Sequence, residues 1–349
     1  MEYIALGCMS GTSLDGIDCS LIKSDGVSYA TEILNEYIPY SDELQLKLHN
    51  VILKGYLADI KVINQLNQEY KDSINNFIKK NNLEIDLIAM HGQTVYHDQK
   101  TKISIQLFDK SIRFNTHSPI ICNFRKNDLL NGGYGAPIMP EFHRALANQL
   151  GLKKVIFVNI GGVTNITVID NQKITAGDSS FGNAIVNDLI YEKTKERFDV
   201  DGSLSNNGQK IDDLFKYITS DKYFLENLPK SLDRNSFHKY IDYFIKERKL
   251  NNAIYTLLEV IPFAINSLIS SQSDFKIILM GGGRKNLTLQ KIFKNYFNDV
   301  SLIDIYNMNG DFIESQGMAY LGIRYLLKKH STYYTTTKVL KNIYLGERC

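Results

Sequence analysis

The stretch Gly7-Cys8-Met9-Ser10-Gly11-Thr12-Ser13-Leu14-Asp15-Gly16-Ile17-Asp18 decides how the rest of the chain reads. Before it, Tyr3-Ile4-Ala5-Leu6 is a short apolar run that predicts a buried strand. After it, Ile17, Cys19 and Leu21 alternate with Asp18 and Ser20, the period-two pattern of a second strand. The polar stretch therefore sits at the tip of a strand–turn–strand hairpin, not between a strand and a helix. Glycines let a ligand approach the backbone, and successive N–H groups in such a turn form an anion-binding hollow. Thr12 and Ser13 add hydroxyl donors, while Asp15 and Asp18 are of the type that holds water around a magnesium ion. An ordinary turn uses the same residue types. So many small donors beside two aspartates favour a phosphate clasp.

The 349 residues suffice for two domains with substantial cores. Apolar residues make up 44% and charged residues 22%, the balance of a soluble globular protein. A net charge of +2 gives no broad basic surface for nucleic acid. No apolar run is expected to approach the roughly 18 residues that a membrane helix needs. The start MEYIALG has neither a basic region nor an apolar signal core, so a cytoplasmic location is expected. The four cysteines (Cys8, Cys19, Cys122, Cys349) are scattered with no CxxC pair, which predicts reduced thiols and no zinc site.

Downstream, helical periodicity predicts helices over about Ser41–Tyr56 and Ile60–Asn81. Asp86 to Met90 is a strand running into a loop, His91-Gly92-Gln93-Thr94. Ile120 to Phe124 is another, followed by Arg125-Lys126-Asn127-Asp128 and Gly132-Gly133-Tyr134-Gly135-Ala136-Pro137. Polar loops after strand ends are where α/β proteins place ligands. The second half then restarts the first. Val155 to Ile160 is a strand, Gly161-Gly162-Val163-Thr164-Asn165 a glycine loop, and Ile166 to Ile169 the returning strand. Two such hairpins would clamp a polyphosphate. Phe275 to Met280 ends in Gly281-Gly282-Gly283 and leads to a helix at about Leu287. Those glycines allow a flat nucleoside to lie on the backbone, or simply form a tight turn. Asp311 and Glu314 suggest a capping box for a last long helix, Phe312 to Lys328, and VLKNIYL is a short strand candidate in the tail.

Asp178 is the carboxylate that stands out. It falls in the small-residue loop Gly177-Asp178-Ser179-Ser180-Phe181-Gly182-Asn183, between a strand end and a helix expected from about Ala184. An ionised carboxylate there is a general base or a helix cap. Arg125 and Asp128 form a ligand clamp or a surface pair. His91 and His97 flank the Gly92-Gln93-Thr94 stretch and are candidates to bond a sugar hydroxyl, or are structural. Lys230-Ser231-Leu232-Asp233-Arg234 is a phosphate contact or a solvated turn. There is no GxxxxGK[ST], no GxGxxG after a strand and no protein-kinase signature.

In this order, GCMSGTSLDGID, HGQTVYH, the stretch from Phe124-Arg125 to Ala136-Pro137, NIGGVTNIT, GDSSFGN, GGGRKN and DFIESQGMAYL resemble the anhydro-N-acetylmuramic acid kinases over nearly the whole chain. The resemblance implies an α/β fold of the two-lobed actin-like, ribonuclease H-like ATPase type, with duplicated phosphate hairpins and ATP in the cleft. It places residues 1–125 with about 320–349 in the first lobe and 126–319 in the second. It implies ATP-phosphate contacts at Gly11, Thr12, Ser13, Asp15, Gly16 and Asp18, a second clasp at Gly161, Gly162 and Asn165, and a nucleoside end at Gly281, Gly282 and Gly283. Asp178 matches the catalytic base, with His91, Gln93, Arg125 and Asp128 on the sugar. Magnesium would be bound mainly through ATP and water, and a homodimer is implied. The implied reaction opens 1,6-anhydro-N-acetylmuramic acid with water and phosphorylates its 6-oxygen, a step of cell-wall recycling.

This chain departs from the family pattern near the chemistry. Asp178-Ser179-Ser180-Phe181-Gly182-Asn183 replaces Asp-Thr-Gly-Pro-Gly-Asn, Asn123 replaces an aspartate, and Phe108 replaces a glycine. Two alternatives keep the fold. One is a kinase for another small molecule, and the other is a non-catalytic nucleotide-binding relative.

Overall fold

The computed structural model describes all residues except 12–13, 54–57, 100, 234–235, 248 and 270–273. The chain forms two compact units, Met1–Gly151 with Phe312–Cys349, and Leu152–Asp311. The sequence boundaries were set near 125 and 320. The first unit extends further because Asp128 accepts the Thr337 hydroxyl at 2.6 Å and the Tyr134 N–H bonds the Thr337 carbonyl at 2.8 Å.

In chain order the first unit runs β1 (Tyr3–Ser10), β2 (Gly16–Ser24), β3 (Ala30–Pro39), α1 (Asp42–Leu53), α2 (Ile60–Lys80), β4 (Leu87–Asp98), β5 (Ile103–Leu107), β6 (Ile120–Cys122), α3 (Lys126–Leu130) and α4 (Pro140–Gln149). The second unit holds β7 (Lys154–Ile160), β8 (Val163–Asp170), β9 (Lys173–Phe181), α5 (Asn183–Thr194), α6 (Asp212–Thr219), α7 (Ile241–Lys246), α8 (Leu250–Ile269), β10 (Lys276–Met280), α9 (Leu287–Tyr296) and β11 (Val300–Leu302). The chain then returns to the first unit through α10 (Ile313–Leu326), α11 (Tyr334–Thr337) and β12 (Glu347–Arg348).

The first sheet has the order β12-β6-β4-β1-β2-β3, with β5 on β4; the second has β11-β10-β7-β8-β9. Both are built the same way. Three strands form an antiparallel meander, and the next two lie parallel beside its first strand. The expected α/β fold with duplicated, ribonuclease H-like hairpin units is therefore present. The pattern that made it legible is also what holds it. The faces of β1, β2 and β4 carrying Leu6, Ile17 and Ile88 bury against Leu66, Tyr70, Ile74 and Phe77 of α2. In the second unit Ile156, Val158 and Ile277 bury against α5 and α8 residues such as Leu189 and Leu257. Burying one such side chain stabilises by about 1.5–3 kcal/mol.

Several expectations are corrected. Helix α8 has the length and apolar composition of a membrane span, but Ala253, Ile254, Leu257, Val260, Ile261 and Ile265 are core residues of the second unit. Cys122 and Cys349 form a disulfide rather than staying reduced, because β12 pairs antiparallel with β6 and brings residue 349 beside residue 122. Cys8 and Cys19 are free and buried. His91 to Thr94 and Gly177 to Ser180 are not loops: β4 and β9 continue through them. Asp311 makes no capping box; α10 starts after Phe312 without a side-chain cap, and Asp311 instead pairs with Arg284 and Lys285. In the tail, the VLKNIYL stretch contributes only a bridge from Ile343 to Thr332.

Candidate active site

The first hairpin tip joins β1 to β2. Thr12 and Ser13 lie outside the described residues. Around them the backbone is tied down by buried polar side chains. Gln93 on β4 donates its amide to the Gly11 carbonyl at 2.6 Å and accepts the Tyr40 hydroxyl at 3.2 Å. The Tyr40 and Tyr70 hydroxyls also bond Ser10 Oγ, at 2.9 and 3.1 Å. The Asp15 carbonyl accepts the Tyr40 N–H and the Tyr37 hydroxyl. Carbonyls held this way are turned toward protein donors, as the expected anion-facing loop would require. Asp15 is exposed, Asp18 half-buried and Gly16 buried.

A second set of residues meets around the middle of β4. His91 is buried, and its Nδ1–H donates to the Gly92 carbonyl at 2.9 Å. That tautomer leaves Nε2 as an acceptor, and Arg125 Nε donates to it at 3.1 Å. Burial, helped by the Arg125 charge, pushes the His91 pKa down to about 3, so the ring is neutral. Arg125 Nη1 donates to the Gly135 carbonyl at 2.8 Å. Asp128 is fully buried and accepts the Gly135 N–H at 2.7 Å and the Thr337 hydroxyl. Burial pushes its carboxyl up, and those two hydrogen bonds pull it back. Of the four expected sugar contacts, Arg125 is half-buried and bonds His91 and the Gly135 carbonyl, Asp128 bonds the Gly135 N–H, and Gln93 bonds the Gly11 carbonyl instead. Thr94, one residue after Gln93, has a buried hydroxyl with no hydrogen-bond partner among the described residues. His97 bonds Ser104 Oγ through Nδ1 at 3.0 Å.

In the second unit the expected residues converge at the ends of the parallel neighbours β7 and β10. Gly161 and Gly162 form the tip of the β7–β8 hairpin, and their carbonyls receive the N–H groups of Asn183, Gly182 and Ala184 at the start of α5. Gly281 adopts φ +74, a conformation glycine allows. A side chain on Gly283 would strike Ile160, whereas Gly161 and Gly282 open onto free space or ordinary contact. Arg284 supports this turn from behind. It is buried and paired with Asp304 and Asp311, each at 2.7 Å, and both carboxyl pKa values are lowered with Arg284 among the causes.

Asp178 lies on β9 with Asn165 of β8 as its ladder partner. One residue further, Thr164 pairs with Ser180, so Ser179 is the extra residue of a bulge. Bulges bend a strand and re-aim side chains, and they gather at active sites. Asp178 caps no helix, since α5 starts after Gly182. Its Oδ2 accepts the Leu232 N–H at 2.7 Å, and the Tyr223 hydroxyl donates to its carbonyl at 2.6 Å. Sequence reasoning missed Tyr223, which carries no motif, and named Leu232 only within the run from Lys230 to Arg234, with no link to Asp178. It read Lys230 as a solvated turn or phosphate contact, yet Lys230 is buried; Arg234 of that run lies outside the described residues.

The family model described as anhydro-N-acetylmuramic acid kinase matches residues 2–348. The chain belongs to the anhydro-N-acetylmuramic acid kinase family. It is 35% identical to the anhydro-N-acetylmuramic acid kinase of Pelagibacter ubique (strain HTCC1062), covering 97% of this chain and 96% of that one. It is 32% identical to the enzyme of the same name from Gluconobacter oxydans (strain 621H), covering 96% of each. Among solved structures, the activator of the 2-hydroxyisocaproyl-CoA dehydratase from Clostridium difficile with bound ADPNP is similar with a TM-score of 0.44 and 12% identity, covering 92% of this chain and 95% of that one.

The departures from the anhydro-N-acetylmuramic acid kinase pattern have places in the fold. Phe181 is buried against Phe237, with ring centroids 5.2 Å apart, and belongs to the core. The buried Ser180 hydroxyl bonds the Phe181 carbonyl at 2.7 Å. Phe108 packs beside Tyr70. Asn123 has φ +55, a left-handed conformation that asparagine tolerates, and bonds Glu347.

Proposed function

We propose that the chain uses ATP to convert 1,6-anhydro-N-acetylmuramic acid to N-acetylmuramic acid 6-phosphate, with Asp178 as general base. Family membership supports the reaction class. The observation that carries the role of Asp178 is its setting: a carboxylate beside a strand bulge, opposite Asn165, with one oxygen held by a backbone N–H.

In this reading Asp178 takes a proton from a water whose oxygen attacks the anomeric carbon. The bond from that carbon to O6 breaks. The freed O6 attacks the γ-phosphorus, the bond to the ADP oxygen breaks, and Asp178 returns its proton to solvent. Phosphoryl transfer rests on positioning and charge neutralisation. Gly11, Thr12, Ser13, Asp15, Gly16 and Asp18 supply the first phosphate clasp, Gly161, Gly162 and Asn165 the second, and Gly281 to Gly283 the nucleoside surface. Arg125, fixed by His91 and by Gly135, is suited to the substrate carboxylate. The orphaned Thr94 hydroxyl is suited to a sugar oxygen.

No group of three or more His, Cys, Asp or Glu among the described residues could hold a metal by itself. Asp15, exposed, and Asp18, half-buried, would hold water around magnesium carried on the nucleotide. Bound there, magnesium would offset phosphate charge.

The test is ADP release with ATP and magnesium over a panel of acceptors. The panel comprises 1,6-anhydro-N-acetylmuramic acid, the anhydro sugar lacking the lactyl carboxylate, and N-acetylmuramic acid. The first should support turnover far better than the others. Equal use of all three, or preference for another, contradicts the reading.

A further inference from the structure

We propose that Lys230 is a positioning residue for Asp178: its buried ammonium clamps the segment 223–232 onto β9 and so sets the pose of the carboxylate. The inference rests on the reading of Asp178 as the base.

The segment touches Asp178 at three points. The Asp178 N–H donates to the Lys230 carbonyl at 2.8 Å, the Leu232 N–H donates to Oδ2, and the Tyr223 hydroxyl donates to the Asp178 carbonyl. Gly177 makes this approach possible, because a Cβ there would lie 2.6 Å from the Lys230 carbonyl oxygen. Lys230 closes the segment on itself. Its Nζ donates to the Tyr223 carbonyl at 2.8 Å and lies 4.2 Å from the centroid of the Tyr223 ring. The residue is 3% exposed. Burying an ammonium is costly unless it is hydrogen-bonded and faces opposite charge, and a cation over a desolvated aromatic ring regains part of that cost.

The charged groups facing Lys230 are Glu226 on the same segment and Asp178 on β9. Burial outweighs both and pushes the ammonium pKa down to about 8. The Tyr223 hydroxyl is pushed the other way by burial and by Asp178, so it stays a donor. Neutral Lys230 loses the cation–π contact and weakens the tie to Tyr223. The clamp therefore holds below about pH 8 and loosens as pH rises through it.

The test is kcat, KM for the anhydro sugar and KM for ATP, from about pH 6 to pH 10, on the full-length wild type, Lys230→Arg, Lys230→Met and Asp178→Asn, with melting curves for each. Wild-type kcat should fall on the alkaline side near pH 8. Lys230→Met should lose on the order of 100-fold in kcat while KM for ATP stays within about twofold. Lys230→Arg keeps its charge throughout, so it should stay within about tenfold of wild type and lose the alkaline fall. A folded Lys230→Met with wild-type kcat overturns the proposal. So does an unchanged alkaline fall in Lys230→Arg, which decides the matter even where Lys230→Met does not fold. Wild-type turnover by Asp178→Asn would remove the base assignment and this inference with it. An inactive Asp178→Asn beside unaltered Lys230 variants would remove this inference alone.

Discussion

Arg125 Nε donates a hydrogen bond to Nε2 of His91 at 3.1 Å, a charged side chain resting on a histidine that burial keeps neutral. A hydrogen bond involving an ionised group is worth about 1.5–3 kcal/mol. His91→Phe should therefore raise KM for the sugar, lowering kcat/KM by about 10–100-fold, with little change for ATP. Steady-state kinetics with each substrate varied checks this. A defect confined to ATP would place Arg125 elsewhere.

Gln93 makes the complementary prediction for the nucleotide. Its amide holds the Gly11 carbonyl. Gln93→Leu removes that bond, a neutral one of about 1 kcal/mol, together with the one accepted from Tyr40, so KM for ATP should rise several-fold while KM for the sugar stays put. Calorimetric titration with a non-hydrolysable ATP analogue gives the same comparison without turnover.

Gly177→Ala places a methyl 2.6 Å from the Lys230 carbonyl oxygen. Overpacking of this kind costs about 1–3 kcal/mol. Urea unfolding should show a loss in that range. Because the segment on β9 must move, kcat should fall as well. A variant as stable and active as wild type would show that the segment does not press on β9.

The hairpin architecture was legible because strand alternation and glycine placement are local signals, repeated at Gly7–Asp18 and Val155–Ile169. Asp178 stood out in the sequence only by its place in a small-residue motif. A single carboxylate between apolar runs does not reveal that β9 continues through it. Nor does it reveal that Tyr223 and Leu232, more than 40 residues away, hold it. Those contacts depend on chain crossings with no periodicity. The Cys122–Cys349 pair was hidden for the same reason: the partners are 227 residues apart, joined by a two-residue strand. Lys230 read as a phosphate contact or part of a solvated turn because lysine is usually exposed.

His91, His97 and His143 each have a pKa pushed down from 6.5 to about 3, with burial the largest cause. The unfolded chain binds protons at these sites below pH 6.5 while the folded chain does not. Stability therefore rises with pH across the window from about 3 to 6.5 and is lost on acidification through it. Each histidine contributes about 1.4 kcal/mol per pH unit well inside that window. Melting temperature should drop between pH 7 and pH 5, and His143→Gln should remove roughly a third of the slope. A flat profile would mean that these rings accept protons in the fold.

Asp178→Asn should abolish product formation, with a loss of at least about 100-fold, while nucleotide still binds. Wild-type turnover in that variant would remove the base assignment.

The most direct measurement of the central claim is the mass of the sugar product formed by the wild-type protein with ATP, magnesium and 1,6-anhydro-N-acetylmuramic acid. The account predicts a product heavier by one phosphoryl group (HPO3) and one water, formed in step with ADP. ADP release without the sugar, or a phosphorylated sugar that has not gained water, would contradict it.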